Sequence, residues 1–334
     1  MKKLLTVLLS LLLLAFISCN AVVESLEEFD DADISRSAWS ISGSTFTHDP
    51  SIIYEKSAGL YWMFYTADGI GVKYSSDGKT WYQGTQIFPS KLSWWSQYAP
   101  QKTDFNIWAP EIVYYNGAYW LYYSVSTGTK QSCIGLMKCS SILKGDWSDQ
   151  GHVIHSTNSS KWNCIDPAFI HDGSAPYLSF GSWQDGIYMV RLSSGTMKPN
   201  SSTITQIADR DGAGSNAIEG STIWKAANGY FYLICSYDNC CLGVNSTYNI
   251  RYGRSKSVTG PYLDKNGKSM LDNGGTTLLS TSGNRIGPGG QCIFETKTSG
   301  KYALGYHYYN KAKNGEATLG IFDIKTANGG WLSF

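Results

Sequence analysis

The sequence predicts an all-β chain folded as a five-bladed β-propeller. Three observations carry this expectation. Short β-branched and aromatic runs alternate with turns, and 35 of the 334 residues are glycine. A glycine turn followed by an aromatic strand recurs at Gly59, Gly117, Gly173, Gly229 and Gly300, spaced by 58, 56, 56 and 71 residues. That period suits a four-stranded blade with its connections. Finally, no long segment shows the 3.6-residue apolar period of an amphipathic helix.

The elements follow in chain order. Met1-Lys2-Lys3 is a short basic start, and Leu4 to Ile17 is an apolar run too short for a comfortable membrane span. Residues 1–19 therefore read as a signal peptide, and the chain is expected to be secreted, without a transmembrane segment. Cys19 offers an alternative, a lipid-anchored N-terminus at the cell surface, for which Phe16 is a poor match. Residues 20–36 carry Glu24, Glu27, Glu28, Asp30, Asp31 and Asp33, and read as a flexible acidic lead-in. Residues 37–334 form the propeller domain.

Each glycine turn is preceded by a strand of similar design. The copies are Asp49-Pro-Ser-Ile-Ile-Tyr, Ala109-Pro-Glu-Ile-Val-Tyr-Tyr, Asp166-Pro-Ala-Phe-Ile, Glu219-Gly-Ser-Thr-Ile-Trp and, weakest, Pro288-Gly-Gly-Gln-Cys-Ile-Phe. Proline at a strand's first residue removes no ladder donor. Third strands follow at Gly71-Val-Lys-Tyr, Ile134-Gly-Leu-Met-Lys-Cys and Ile187-Tyr-Met-Val-Arg-Leu. Asp77-Gly78 is a hairpin-type turn.

Composition narrows the function. The formal net charge is +1 and Lys and Arg form no run, so no nucleic-acid partner is implied. Trp 12 and Tyr 23 against Phe 12 fit core packing, and also a cleft of flat apolar faces with polar edges, as sugars require. Seven cysteines follow the leader, an odd number, with the adjacent pair Cys240-Cys241 among them. None has zinc-type spacing, and all are read as structural.

The first strand of a propeller blade lines the central channel, so equivalent starts converge at its mouth. Asp49, Asp166 and Glu219 hold those places in three blades. Alternation gives Glu111 the facing of Ala109, which leaves a place in the cleft open, and a charge at a blade edge is the expected reading. Three carboxylates at one mouth raise one another's pKa, which suits acid/base chemistry. A carboxylate cation site is the alternative, although no compact calcium loop is present.

At these residues the chain resembles glycoside hydrolase family 43, in its endo-α-1,5-L-arabinanase branch. The resemblance runs from about His48 to Trp331. It rests on His48-Asp49-Pro50-Ser51-Ile52, Trp108-Ala109-Pro110-Glu111-Ile112, Ile165-Asp166-Pro167 and Phe180-Gly181-Ser182-Trp183. It continues through Ala217-Ile218-Glu219-Gly220, Cys240-Cys241-Leu242-Gly243-Val244-Asn245-Ser246-Thr247-Tyr248 and Gly253-Arg254-Ser255. The resemblance implies an inverting hydrolase of arabinan, the side chain of pectin. Asp49 would be the general base and Glu219 the general acid, with Asp166 raising the pKa of the acid and orienting it. An inverting pair sits about 6.5–9.5 Å apart. Trp108, Ser182 and Trp183 would line the substrate cleft. His307 would help hold a central ion, often calcium, through waters. No organic cofactor and no oligomer are expected. Two places depart from the family pattern: Gly220-Ser221 replaces a frequent Ala-Pro, and Gly287-Pro288-Gly289-Gly290-Gln291 lacks a histidine often seen there. An exo-acting arabinofuranosidase, a β-xylosidase and a non-catalytic glycan-binding propeller are the competing readings.

Overall fold

The computed structural model describes residues 37–184, 186–210, 212–327 and 329–334. The signal peptide, the lead-in and Cys19 lie outside the described residues. Five antiparallel sheets follow one another along the chain. Their innermost strands are Ser51–Glu55, Asn106–Tyr115, Ala168–His171, Ile218–Lys225 and Arg285–Glu295. These strands neighbour one another in cyclic order, the fifth beside the first, so the sheets are blades of a five-bladed propeller.

The glycine turns at 59, 117, 173, 229 and 300 all have positive φ and join the innermost strand of each blade to the second. The second strands are the aromatic runs, and their composition follows from burial on both faces. Along Ala118–Val125 every residue is buried. Tyr119, Leu121 and Tyr123 enter the core shared with blade 1, whereas Ala118, Trp120 and Tyr122 enter the core shared with blade 3. Successive side chains point to opposite faces, so one strand feeds two cores. Phe231–Tyr237 repeats the device between its own neighbours. The five hydrophobic clusters thus fill the five gaps between blades, and none occupies the axis.

The chain closes the ring through its first described segment. Trp39 donates its backbone N–H to Ile321 O at 2.8 Å, and Leu319 donates to Thr45 O at 2.9 Å, so residues 38–47 run beside the third strand of blade 5. Ser42–Gly43 then pairs with Thr80–Trp81 of blade 1.

A glycine recurs where the third strand passes under an aromatic ring of the second. Gly71 faces Tyr65, Gly135 faces Tyr123 and Gly320 faces Tyr306 as cross-strand partners. A Cβ on Gly135 or Gly320 would lie 2.3 Å from the facing tyrosine Cζ. The ring covers the bare backbone and fills the gap between blades. Among the described residues no helix is long and apolar enough to cross a membrane.

Candidate active site

The site begins with a backbone feature repeated in every blade. At the mouth end of each innermost strand one residue is left-handed: Asp49 (φ 48°), Ala109 (39°), Asp166 (56°), Gly220 (57°) and Gly290 (56°). In blades 2, 4 and 5 this residue sits in a register shift, between Trp108 and Glu111, Glu219 and Thr222, and Gly289 and Cys292. Such a bulge frees one N–H from the ladder and re-aims the side chains beside it. Each freed N–H finds an inward partner. Asp49 donates to His307 Nδ1 (3.1 Å), Ala109 to Thr66 Oγ1 (2.9 Å) and Asp166 to Ser124 Oγ (3.0 Å). Gly220 donates to Asp166 Oδ2 (3.0 Å) and Gly290 to Ser236 Oγ (2.9 Å). A left-handed non-glycine residue costs about 1–2 kcal/mol. The strain at Asp49 and Asp166 therefore coincides with the carboxylates of interest.

The bulges correct the phase of the repeat. The left-handed place in blade 4 belongs to Gly220, not Glu219, and in blade 5 to Gly290. Glu219 occupies the preceding place, held elsewhere by His48, Trp108, Ile165 and Gly289. Both departures from the family pattern fall at this place in the blade. Gly220 and Gly290 are bulge residues, and a Cβ on Gly290 would lie 2.4 Å from Asp49 Oδ1.

Glu111 is also corrected. It lies in the channel, not at a blade edge. Its Oε2 accepts from Ser51 Oγ at 2.9 Å and its Oε1 from Phe169 N–H at 3.2 Å, so it ties blade 2 to blades 1 and 3. Burial pushes its carboxyl up to about 7. With Asp49, Asp166, Thr222, Tyr248 and Gln291 it lines an axial cavity of about 40 Å³.

The structure brings Asp49, Asp166 and Glu219 together at this mouth, in distinct environments. His48 Nδ1 lies 2.8 Å from Asp49 Oδ2, and Thr66 Oγ1 donates to the same oxygen at 2.7 Å. Burial alone pushes Asp49 up, but the charge and hydrogen bond of His48 outweigh it and hold the carboxyl well below the usual range. Burial likewise pushes His48 down, and Asp49 overcomes this, raising the ring to about 10. The two form an ion pair. Glu219 is different: Ser182 Oγ donates to its Oε2 at 2.5 Å and Tyr248 Oη donates to its Oε1. Burial is the first cause that raises both Glu219 and Asp166, and the charges of Glu219 and Asp49 raise Asp166 further. One carboxylate is thus kept ionised while a neighbouring buried pair holds a proton, the separation that acid/base catalysis requires.

The expected cleft residues divide. Ser182 is buried and faces Glu219. Trp183 is 37% exposed and left-handed, beside the loop that carries Ser182. Trp108 is half-buried next to Ala109, with Lys102 Nζ 5.1 Å from its ring centre. From Thr66 an open groove lined by Phe46, Tyr65, Asp68, Gln83 and Asn106 runs across blade 1.

His307 is fully buried and stacks on His48 at 3.9 Å. Its Nδ1 accepts the Asp49 N–H, while its Nε2 has no partner. Burial, and then the charge of His48, holds the ring down at about 3, so it is neutral. With Nδ1 accepting, the proton sits on Nε2. That orphaned donor fits an ion reached through its water shell better than direct ligation by the ring.

Four site residues were missed from sequence. His48 and Tyr248 lie inside the quoted motifs but had no role. Thr66 and Tyr309 carried no signal at all; Tyr309 Oη sits 3.1 Å from His48 Nε2 and accepts the Cys241 N–H at 2.7 Å. The cysteine expectation holds for Cys133, Cys139, Cys164, Cys235 and Cys292, which are buried. It fails for Cys241, which is exposed with its Sγ 3.7 Å from His48 Nε2. Cys240, half-exposed, hydrogen-bonds it, and this contact together with His48 pulls the Cys241 thiol down to about 5.

Comparisons with known proteins agree with this geometry. The family model described as "Glycosyl hydrolases family 43" matches residues 43–331. An extracellular endo-α-(1→5)-L-arabinanase of Bacillus subtilis is 46% identical over 92% of this chain and 93% of its own. The solved endo-arabinanase of Bacillus licheniformis superposes with a TM-score of 0.82 at 43% identity, covering 89% of this chain and 100% of the other. An exo-1,5-α-L-arabinanase from a bovine ruminal metagenomic library gives 0.82 at 34% identity, covering 88% and 98%.

Proposed function

For a chain that belongs to glycosyl hydrolases family 43, and so is a glycoside hydrolase, we propose inverting endo-hydrolysis of α-1,5-L-arabinofuranosidic bonds in arabinan. The observation that carries the mechanism is the contrast between Asp49, held low by its pairing with His48, and Glu219, raised by burial and anchored by Ser182 and Tyr248. Asp49 accepts a proton from the attacking water, and Thr66 and His48 fix the direction of its oxygens. Glu219 gives its proton to the departing glycosidic oxygen. Asp166, bonded to the Gly220 N–H, fixes the backbone that carries Glu219 and adds negative charge that favours its protonation. A base and an acid that act on opposite sides of the anomeric carbon, with a water between them, invert the product anomer.

The endo mode is supported by the groove leading away from Thr66 over blade 1, which lets a polymer continue past the acids. Trp108 and Trp183 flank the mouth as faces for sugar rings. A calcium ion on the axis, reached by His307 through water, would supply fixed positive charge beneath the carboxylates. Secretion is supported by the basic and apolar N-terminus and by the extracellular Bacillus relative.

Product analysis on linear arabinan tests the reading. Oligosaccharides of mixed length should appear first, and their new reducing ends should be β-anomers by proton NMR. Release of arabinose alone from the first minute would refute endo action, and α-anomers would refute inversion. Glu219→Ala should bind arabinan and fail to cut it.

A further inference from the structure

We propose that Cys240, Cys241 and His48 form a binding site for a thiophilic divalent metal ion at the channel mouth, and that loading it stops hydrolysis. The site is built on the Cys241–His48 pair, with Cys240 as a neighbouring sulfur that reaches the ion by turning its side chain. Its effect on the rate rests on Asp49 being the base.

Cys241 adopts φ 64°, a conformation that a side chain enters at a cost. Its Sγ lies 3.7 Å from His48 Nε2. Zinc-type ions hold sulfur at about 2.3 Å and imidazole nitrogen at about 2.0–2.1 Å, which at a tetrahedral angle separates the two atoms by about 3.6 Å. The observed gap matches that bite. Cys240 hydrogen-bonds the Cys241 thiol and offers a second sulfur next in sequence.

The outer support is already built. A ligating histidine usually has its other ring N–H held by a carboxylate, which fixes the tautomer and the ring plane. Here His48 Nδ1 is 2.8 Å from Asp49 Oδ2. Tyr309 Oη, 3.1 Å from Nε2, can yield that nitrogen and keep its bond from the Cys241 N–H. Cys241 enters as its thiolate, binding releases the Cys240 thiol proton and the Nε2 proton to solvent, and no electron moves. Two sulfurs and an imidazole favour Zn²⁺ or Cd²⁺ over Ca²⁺, which separates this site from an axial calcium. A bound ion would stand beside Asp49, at the place the substrate must cross. The other five cysteines are buried and do not compete.

Cadmium is the probe, added to the full protein in excess calcium. One equivalent should raise an ultraviolet cadmium–thiolate band and lower the rate on linear arabinan at least tenfold, both reversed by dithiothreitol. Cys240→Ser/Cys241→Ser should lose the band and the inhibition, each protein being compared with its own metal-free rate. Each single serine variant should weaken the band, which keeps the test open if the double variant folds poorly. No band at one equivalent, or equal inhibition in the variants, overturns the site. A band without loss of rate overturns its placement against the base. The band reads the site even if arabinan proves not to be the substrate.

Discussion

Replacing His48 by asparagine removes the charge beside Asp49 while keeping a side-chain donor near the Nδ1 position. The magnitude can be worked from the ion pair. Raising His48 from 6.5 to about 10 corresponds to about 5 kcal/mol of interaction with its surroundings. The side chains of His48 and Asp49 are 21% and 22% exposed, and screening reduces the expected loss to about 2–4 kcal/mol. The pH window follows from the two shifts. The His48 contribution is complete below pH 6.5 and is lost as pH rises through about 10. The Asp49 contribution is complete above 3.8, its ordinary value, and is lost as pH falls through its depressed value. Urea unfolding at pH 6 should show the full deficit of the variant, and at pH 11 the deficit should shrink. In the same variant burial acts on Asp49 unopposed by the imidazolium, so the acid limb of kcat/KM on linear arabinan should move to higher pH. An unchanged acid limb, with the variant folded, would refute the assignment of Asp49 as the group whose ionisation His48 secures.

Other predictions probe the same frame. Gly290→Ala places a methyl 2.4 Å from Asp49 Oδ1 and 2.7 Å from His307 Nδ1, so kcat should fall about 100-fold through displacement of the base. Its thermal stability should drop by no more than the about 1–3 kcal/mol of strain and overpacking. Tyr248→Phe deletes a hydrogen bond that lowers the pKa of Glu219, so the alkaline limb of kcat/KM should shift upward. A downward shift would contradict the assignment of the acid. Gly320→Ala drives a methyl into the Tyr306 ring and should cost about 2–3 kcal/mol in urea unfolding. Gly300→Ala, in the same blade with nothing within 4 Å, should cost only the about 1 kcal/mol of its positive φ.

Much of the site was legible because propeller symmetry turns sequence equivalence into proximity. Asp49 and Asp166 occupy the same left-handed place in two blades, and their Asp-Pro strand starts are readable as copies. Glu219 was found as well, but one place out of phase. The string Glu219-Gly-Ser-Thr-Ile aligns with Asp49-Pro-Ser-Ile-Ile when counted from the acid, whereas the left-handed conformation aligns Gly220 with Asp49. Apolar pattern does not record which residue is left-handed. Glu111 was misplaced for a related reason: alternation left its facing open, and only the hydrogen bonds from Ser51 and Phe169 decide that it points to the axis.

What the sequence determined alone was the architecture, the three acids and the aromatic strands buried on both faces. Those follow from local rules: period-2 packing, glycine at turns, proline at strand starts. The tertiary structure decided which carboxyl is ionised. Asp49 and Glu219 are both buried acids at one mouth. They differ because His48 and Thr66 meet the first, and Ser182 and Tyr248 meet the second. Thr66 reaches Asp49 within blade 1 and Tyr248 reaches Glu219 within blade 4, Ser182 reaches Glu219 from the neighbouring blade 3, and ring closure sets His307 of blade 5 beside Asp49. The same closure sets Cys241 against His48, a contact between residues 193 positions apart that no spacing in the chain announces.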